Sequence, residues 1–361
     1  MNIATVFSGI GAPEYALKTY FPDVKQKIVF ACDCGEVKDY LPKEQVEILY
    51  SIRNQEERTA KTKEFYLKLR RRHWVKETYF KNYSIDESRW FDDIRFIDGK
   101  PFKNKVDLFV GGSPCQSFSN MGKRKGLEDA RGTLFYDFAR LVKEISPKVF
   151  IYENVPGMLT HDKGNTWQTI KGIFESLGYY FEAQVLNASK YGIPQNRKRL
   201  FVIGFKKKEW HDKFSFPNQI ELSCSARDFY QDDIDPKYYL KEKGFAFVTT
   251  HPGRAKINEE IIRTEKRNQE FNWNGDFVFE PLDNLKNKKT VLKNAYVGIY
   301  KGIKGVVRKL TPRECHSLMG FKNDFLICEN DVEAYKQAGN SIVVNVLGEI
   351  YKSIFLTGAL S

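Results

Sequence analysis

Hydrophobic residues along this chain follow two periods that alternate. In "IATVFSGIGAPEYALKTYF", Ile3, Thr5 and Val6 are strand formers, Gly9 and Gly11 allow a tight turn, and Pro13 suits the first turn of a helix carrying Tyr15, Ala16 and Tyr20. "KIVFACD" predicts a second strand ending at Asp33. "VDLFVGG" predicts a strand running into a loop, followed by a helix over "GTLFYDFARLVKEI", where Leu134, Phe135, Phe138, Leu141, Val142 and Ile145 recur at helical spacing. "KVFIYENV" and "RLFVIGF" read as strands, and "TWQTIKGIFESLG" as a helix stopped by Gly178. This alternation predicts a doubly wound α/β domain over residues 1–205.

Two stretches break the rhythm. Residues 43–90 are charged and helical, with Phe65, Leu69 and Trp74 among many basic side chains. They read as a helical insertion, either merely solvated or facing a polyanion. Residues 206–307 are polar and rich in Lys, Asn and Asp, with short β-like pieces such as "GFAFVTT" and "AYVGIY". They predict a separate, smaller, irregular β-rich domain, extending over 206–330. Regularity returns at "LTPRECHSLMGF", where Thr311 suits an N-cap and Pro312 the first helical position. "GNSIVVNVLGEIYKSIF" gives a last amphipathic helix within 331–361.

Composition narrows the function classes. A chain of 361 residues has core enough to dispense with disulfide staples. Its six cysteines, at 32, 34, 115, 224, 315 and 328, show neither a disulfide framework nor four-ligand zinc spacing, so no metal is expected. Free thiols suit a reducing interior. The start "MNIATVFSG" lacks the form of a signal peptide, and no apolar run reaches membrane-spanning length. The expected location is the cytoplasm, with no membrane partner. The net charge of +12 suits a polyanion such as nucleic acid, and equally suits a well-solvated surface.

Candidate chemistry gathers at the predicted strand ends. "FSGIGA" places glycines where a ligand can approach the backbone, and Asp33 could accept hydrogen bonds from ribose hydroxyls. In "GGSPCQSFSN", Cys115 follows a strand and Pro114 stiffens the backbone before it. A free thiol ionises near pH 8.5, so a reactive cysteine needs neighbouring cations or dipoles; a lone cysteine is otherwise an inert core residue. "YENVPG" puts Glu153 at the end of the next strand, where its carboxyl could hydrogen-bond or protonate a heterocycle nitrogen. In "QNRKRL", alternation sends Arg197 and Arg199 to one side of a strand, with Gln195 before them. Nucleophile, acid and cations thus converge on one sheet edge. "SNMGKRKGLEDARG", with three glycines and Lys123, Arg124 and Lys125, predicts a mobile basic loop closing on a polyanion.

In order, "FSGIGA", "ACD", "FDDI", "GGSPCQSFS", "GKRKGLEDARGTLF", "YENVPGML", "QNRKRL", "RKLTPRECHSLMGF" and "QAGNSIVVNVL" run along nearly the whole chain. Through them it resembles the DNA (cytosine-5)-methyltransferases of bacterial restriction–modification systems. The resemblance implies a Rossmann-like methyltransferase domain with a target-recognition domain, closed by a last helix packed beside the first. It implies S-adenosyl-L-methionine as donor, with S-adenosyl-L-homocysteine as product. Phe7, Gly9 and Gly11 would line the methionine and adenosine end, Asp33 would take the ribose, and Asp93 with Ile94 would meet the adenine. Pro114, Leu134, Asn340 and Ser341 would complete that pocket.

The catalytic set implied is Cys115 as nucleophile toward C6 of a flipped-out cytosine, Glu153 at the N3 side, and Arg197 and Arg199 on the flipped nucleotide. Met121 is expected to fill the gap left by the base. Lys123, Arg124, Gln195 and Thr290 are expected at the double-stranded DNA. A cognate restriction endonuclease is implied as a functional partner, and the enzyme is expected to act as a monomer. Three positions depart from the family pattern: Ala12 replaces a second glycine, Cys34 stands where an aromatic residue often faces adenine, and Ser113 stands where phenylalanine is common. Two other readings use the same residues: an RNA cytosine-5 methyltransferase, and a catalytically inactive DNA-binding relative. The long 206–307 region opposes the first, and the intact Cys115, Glu153, Arg197 and Arg199 oppose the second.

Overall fold

The computed structural model describes residues 1–37, 41–70, 72–113 and 134–360. Contacts divide the chain into two units: Met1–Leu186, Lys198–Asn218 and Val346–Ser361 form the first, and Asn187–Arg197 with Gln219–Asn345 the second.

The first unit is built on β1 (Asn2–Val6), β2 (Lys27–Cys32), β3 (Trp90–Phe91), β4 (Leu108–Gly111), β5 (Val149–Asn154), β6 (Tyr180–Asn187) and β8 (Lys198–Phe205). The short β7 (Gln195–Asn196) pairs elsewhere. The seven strands lie in the order β3-β2-β1-β4-β5-β8-β6. Strands β3 to β5 are parallel, joined through α1 (Ala12–Tyr20), the insertion and α5 (Leu134–Ile145). Parallel neighbours need such long crossovers. After α6 (Asn165–Ser176) and β6, only residues 188–197 separate β6 from β8, too few for a crossover helix. β8 accordingly runs antiparallel to β5, from Val149↔Phe205 to Asn154↔Leu200. The start of β8 therefore meets the end of β5, which decides the geometry of the site below.

The sheet's core is aromatic. Phe109 stacks on Phe138 of α5, and Phe150 lies against Phe174 of α6. The insertion consists of α2 (Lys43–Ser51), α3 (Gln55–Leu69) and α4 (Trp74–Asn82), around a small core of Leu41, Leu49, Phe65, Tyr66 and Phe96. Residues 206–218, including the short α7 (Lys208–His211), stay with the first unit because Phe214 packs on Phe205 at the end of β8.

The second unit holds α8 (Glu242–Thr250), β9 (Lys256–Ile257), β10 (Ile262–Arg263), β11 (Asp276–Pro281), α9 (Lys288–Leu292), β12 (Gly298–Tyr300), β13 (Ile303–Lys309), α10 (Pro312–Ser317) and α11 (Asp331–Asn340). Its sheet order is β12-β13-β11-β9, and β10 pairs separately with β7. Lys301 and Gly302, both at positive φ, make the tight turn between β12 and β13. "GFAFVTT", expected as β-like, is helical α8. Phe245 and Val248, three residues apart, bury one helical face against Leu240, Phe277, Phe279 and Val307, and that burial overrides the β-prone composition. α10 bears out its predicted start: the Thr311 hydroxyl accepts from Glu314 N at 3.1 Å, and the Glu314 carboxylate accepts from Thr311 N at 2.8 Å. Glu314 also holds the buried Arg308 at 2.8 and 2.9 Å.

The last helix, α12 (Val344–Leu356), returns the chain to the first unit. Gly348 lies so close to Tyr20 that a Cβ there would meet the ring at 2.4 Å, and Tyr351 donates to the carbonyl of Pro13 at 3.3 Å. The final helix thus packs beside α1.

Candidate active site

The turn after β1 is shaped by backbone that side chains rarely allow. Phe7 sits at φ 53°, Gly9 at 53° and Gly11 at 86°. Nothing lies within 4 Å of where a Cβ on Gly9 would stand, so the turn is open on that side. A Cβ on Gly11 would enter the Tyr83 ring. Phe7 is half-buried against the sheet core, as is Leu134 at the start of α5.

Asp33, just past β2, receives Gly9 N on Oδ2 at 2.8 Å and Gly35 N on Oδ1 at 2.7 Å. Burial pushes its carboxyl up from the ordinary range, and those two N–H donors oppose the shift. A carboxylate has about four acceptor positions, so each oxygen keeps one for a further donor. That free pair matches a vicinal diol, and with the open glycine turn it fits a ribose-bearing cofactor.

Asp93 is differently placed. Its Oδ2 accepts from Tyr66 at 2.6 Å and from Arg95 Nη2 at 2.6 Å, while Oδ1 accepts from Arg95 N at 3.0 Å. Both oxygens already have donors within the chain, whereas Ile94 beside it is buried in the core.

The end of β4 is pinned to the end of β5. Ser113 Oγ and Tyr152 Oη share a hydrogen bond of 2.6 Å, and Asn154 Nδ2 donates to Ser113 O at 2.9 Å and to Tyr152 Oη at 3.0 Å. A Cβ on Gly112 would stand 2.8 Å from both the carbonyl oxygen and Oε2 of Glu153, so only glycine permits this approach. The backbone is fixed beside Glu153 up to the residue before Pro114. Pro114, Cys115, Met121, Lys123 and Arg124 lie outside the described residues.

Glu153 pairs with Arg199, Oε1 to Nε at 3.0 Å, with 14 % and 18 % of their side chains exposed. The antiparallel entry of β8 makes this contact. Arg197 does not join it, although strand alternation predicted that it would. The chain breaks between β7 and β8 at Arg197, and its buried guanidinium donates to the carbonyls of Glu265 (2.9 Å), Gly339 (2.9 Å) and Ser341 (2.8 Å) in the second unit. Gln195, expected at the DNA, is fully buried there instead; its Nε2 donates to Leu318 O at 2.9 Å and its Oε1 accepts from Glu265 N at 3.1 Å. Glu265 is itself buried beside Arg197, and burial pushes its carboxyl up to about 8. Asn340 ends α11 exposed, Ser341 follows it buried, and Thr290 is exposed on α9.

Sequence reasoning missed Tyr152 and Asn154 as the ties of this mount, and Tyr66, Arg70, His73 and Tyr83 as neighbours of the glycine and Asp33 segments. The quoted "YENV" held the first two, but nothing local marks a tyrosine whose partner is 39 residues away.

Among known proteins, the model of the family described as C-5 cytosine-specific DNA methylase matches residues 53–356. The type II methyltransferase M.HhaI of Haemophilus parahaemolyticus is 36% identical over 268 residues, covering 73% of this chain and 79% of that protein. M.SsoII of Shigella sonnei is 36% identical over 287 residues, 79% of this chain and 72% of that one. In fold, the chain is similar to a crystal structure of a Spodoptera frugiperda DNMT2 mutant, with a TM-score of 0.66 at 18% identity, covering 98% of this chain and 99% of that one.

Proposed function

The chain belongs to the C-5 cytosine-specific DNA methylase family, and from that premise we propose that it is the modification enzyme of a type II restriction–modification system, using Cys115 as nucleophile and Glu153 with Arg199 as its polar partners. The protein is a DNA (cytosine-5)-methyltransferase. A cognate endonuclease would cut the same sequence where it is unmethylated.

The observation that carries the residue assignment is the Glu153–Arg199 pair at the sheet edge where Ser113 delivers the chain to Cys115. A cytosine in duplex DNA hides C5 and C6, so the base must leave the stack. Cys115 adds its thiolate to C6, forming the S–C6 bond and shifting the C5–C6 electron pair toward C5 and the ring. The Glu153 carboxyl, protonated in the complex, donates its proton toward N3 as thiolate addition makes that nitrogen more basic, and Arg199 holds Glu153 in place while supporting the nucleotide. S-adenosyl-L-methionine, when bound, supplies an electrophilic methyl group on a sulfonium. Phe7, Gly9, Gly11 and Asp33 would hold it, with Ile94 and Leu134 beside them, Asp93 nearby, and Pro114, Asn340 and Ser341 as further candidates. Once C5 carries the methyl group, water takes the C5 proton, the C–H electron pair re-forms the C5–C6 double bond, the S–C6 bond breaks and Cys115 leaves as thiolate. Arg197 acts through the segments it ties together, at 265 and 339–341. Met121, Lys123 and Arg124 would meet the DNA from the loop after Cys115, and Thr290 from α9.

A duplex carrying 5-fluorocytosine tests this reading. With S-adenosyl-L-methionine the protein should be trapped covalently, because fluorine at C5 cannot leave as a proton does; Cys115→Ser should not be trapped. Methylation of tRNA but not of duplex DNA would overturn it. Bisulfite sequencing of DNA treated with the protein gives the target.

A further inference from the structure

The helical insertion touches three of the segments assigned to the cofactor: the glycine turn with α1, the Asp33 loop, and Asp93. Tyr83 donates to Gly11 O at 2.6 Å, and Tyr79 donates to buried Glu14 at 2.7 Å, both in the glycine turn and α1. Tyr66 donates to Asp93. Two residues between α3 and α4 reach the Asp33 loop. Arg70 Nη1 donates to Cys34 O at 2.6 Å, while its other arm pairs with Asp92. His73 Nε2 lies 3.0 Å from Asp33 O.

The state of His73 follows from its surroundings. Its Nδ1 accepts from Lys76 N at 3.2 Å, capping α4, so Nε2 carries the proton and donates to the Asp33 carbonyl. Burial, aided by Arg70, holds its pKa down to about 3, so the ring is neutral at working pH. Asp92 Oδ1 lies 3.5 Å from Nε2, and Lys76 is a further charged group that acts on the ring. The ring also fits against Gly35, where a Cβ would stand 2.6 Å from it at φ 65°. Gly35 N is one of the two donors that orient the Asp33 carboxylate. His73 therefore grips the loop at the Asp33 carbonyl and again at Gly35.

We propose that the insertion forms the outer wall of the cofactor site, with His73 and Arg70 as positioning residues that hold the Asp33 loop so that its carboxylate meets the ribose diol of the donor. This rests on the methyltransferase reading. The insertion then has a role in binding the donor.

His73→Asn tests it, since asparagine still caps α4 but is too short to reach Asp33 O. Calorimetry on the full-length protein without DNA compares S-adenosyl-L-homocysteine with its analogue lacking both ribose hydroxyls. The variant should lose about three- to tenfold in affinity for S-adenosyl-L-homocysteine, the worth of one misplaced hydrogen bond, and less than about twofold for the analogue. Its melting temperature without ligand should fall modestly, a loss common to both ligands that leaves their difference to report on the diol. Gly35→Ala, which presses the same ring from the other side, should narrow the same discrimination. Equal losses for both ligands, or no loss, would overturn the proposal. Wild-type protein that binds no S-adenosyl-L-homocysteine at all would bring down the methyltransferase reading, and this inference with it.

Discussion

At the scale of single residues, ionisable side chains in this protein divide by what surrounds them. Glu153 keeps a cation and some solvent, so it can exchange Arg199 contacts for a base edge. Glu153→Gln should lower turnover by about 10²- to 10⁴-fold, the usual reach of a positioned acid or base, with little change in S-adenosyl-L-homocysteine affinity. Single-turnover methylation beside calorimetry checks both. Glu265 has Arg197 but no open side, and the folded protein holds its proton up to about pH 8, whereas an unfolded glutamate releases it near 4.5. Between those values the folded state binds the extra proton, so this residue's contribution to stability is fullest below pH 4.5 and is lost as pH rises to 8. Glu265→Gln should flatten that decline, as thermal melts from pH 5 to 8 would record; a parallel decline in both proteins would place the proton elsewhere. Glu153 and Arg199, which the fold pairs, were readable because their motifs are local, whereas Cys115 lies outside the described residues. The tie that Arg197 makes was not, since a two-residue strand ending at Asn196 breaks the alternation on which its direction was read.

At the scale of elements, strands buried on both faces announced themselves as apolar runs, and α5 by its spacing. β6 gave no such signal because half of its residues are exposed and only Leu186 is buried. α8 misled because its aromatic and β-branched residues suit a strand, and only packing against β11 and β13 makes them a helix. The three-helix insertion was visible as helix but not as cofactor wall, since the hydrogen bonds that give it that place span 27 to 72 residues of sequence. The tie between β4 and β5 carries a prediction of its own. Tyr152→Phe leaves Ser113 and Asn154 without a shared partner in a buried site, which should cost about 1–3 kcal/mol. It should also slow covalent trapping on 5-fluorocytosine duplexes, because the mount before Cys115 loosens. Denaturant midpoints and trapping rates measure the two effects; a stability loss with unchanged trapping would make the tie structural only.

At the scale of the whole molecule, the excess of twelve positive charges acts over distance and without sequence preference. DNA affinity should fall steeply with salt, log K against log salt having a slope of about −0.9 for each phosphate neutralised. The affinity for S-adenosyl-L-homocysteine, held by local hydrogen bonds, should hardly move. Salt titrations of both ligands on one preparation compare them directly. One fact about the whole chain was legible beforehand, its α/β class.

The return of α12 to the first unit also sets an order in time. Residues 346–361 complete the first unit, with Leu347, Ile350, Tyr351 and Ile354 fully buried, yet the ribosome makes them after residues 219–345. At a usual synthesis rate, the earlier part of that unit waits about 6 to 25 seconds for its closing helix. Through that interval the surface of α1 that receives Tyr351 and Gly348 is bare, a site for a chaperone and a weak point for proteolysis. A nascent chain released before residue 346 should be cut readily and bind no S-adenosyl-L-homocysteine, so the ability to methylate waits for α12 to be made.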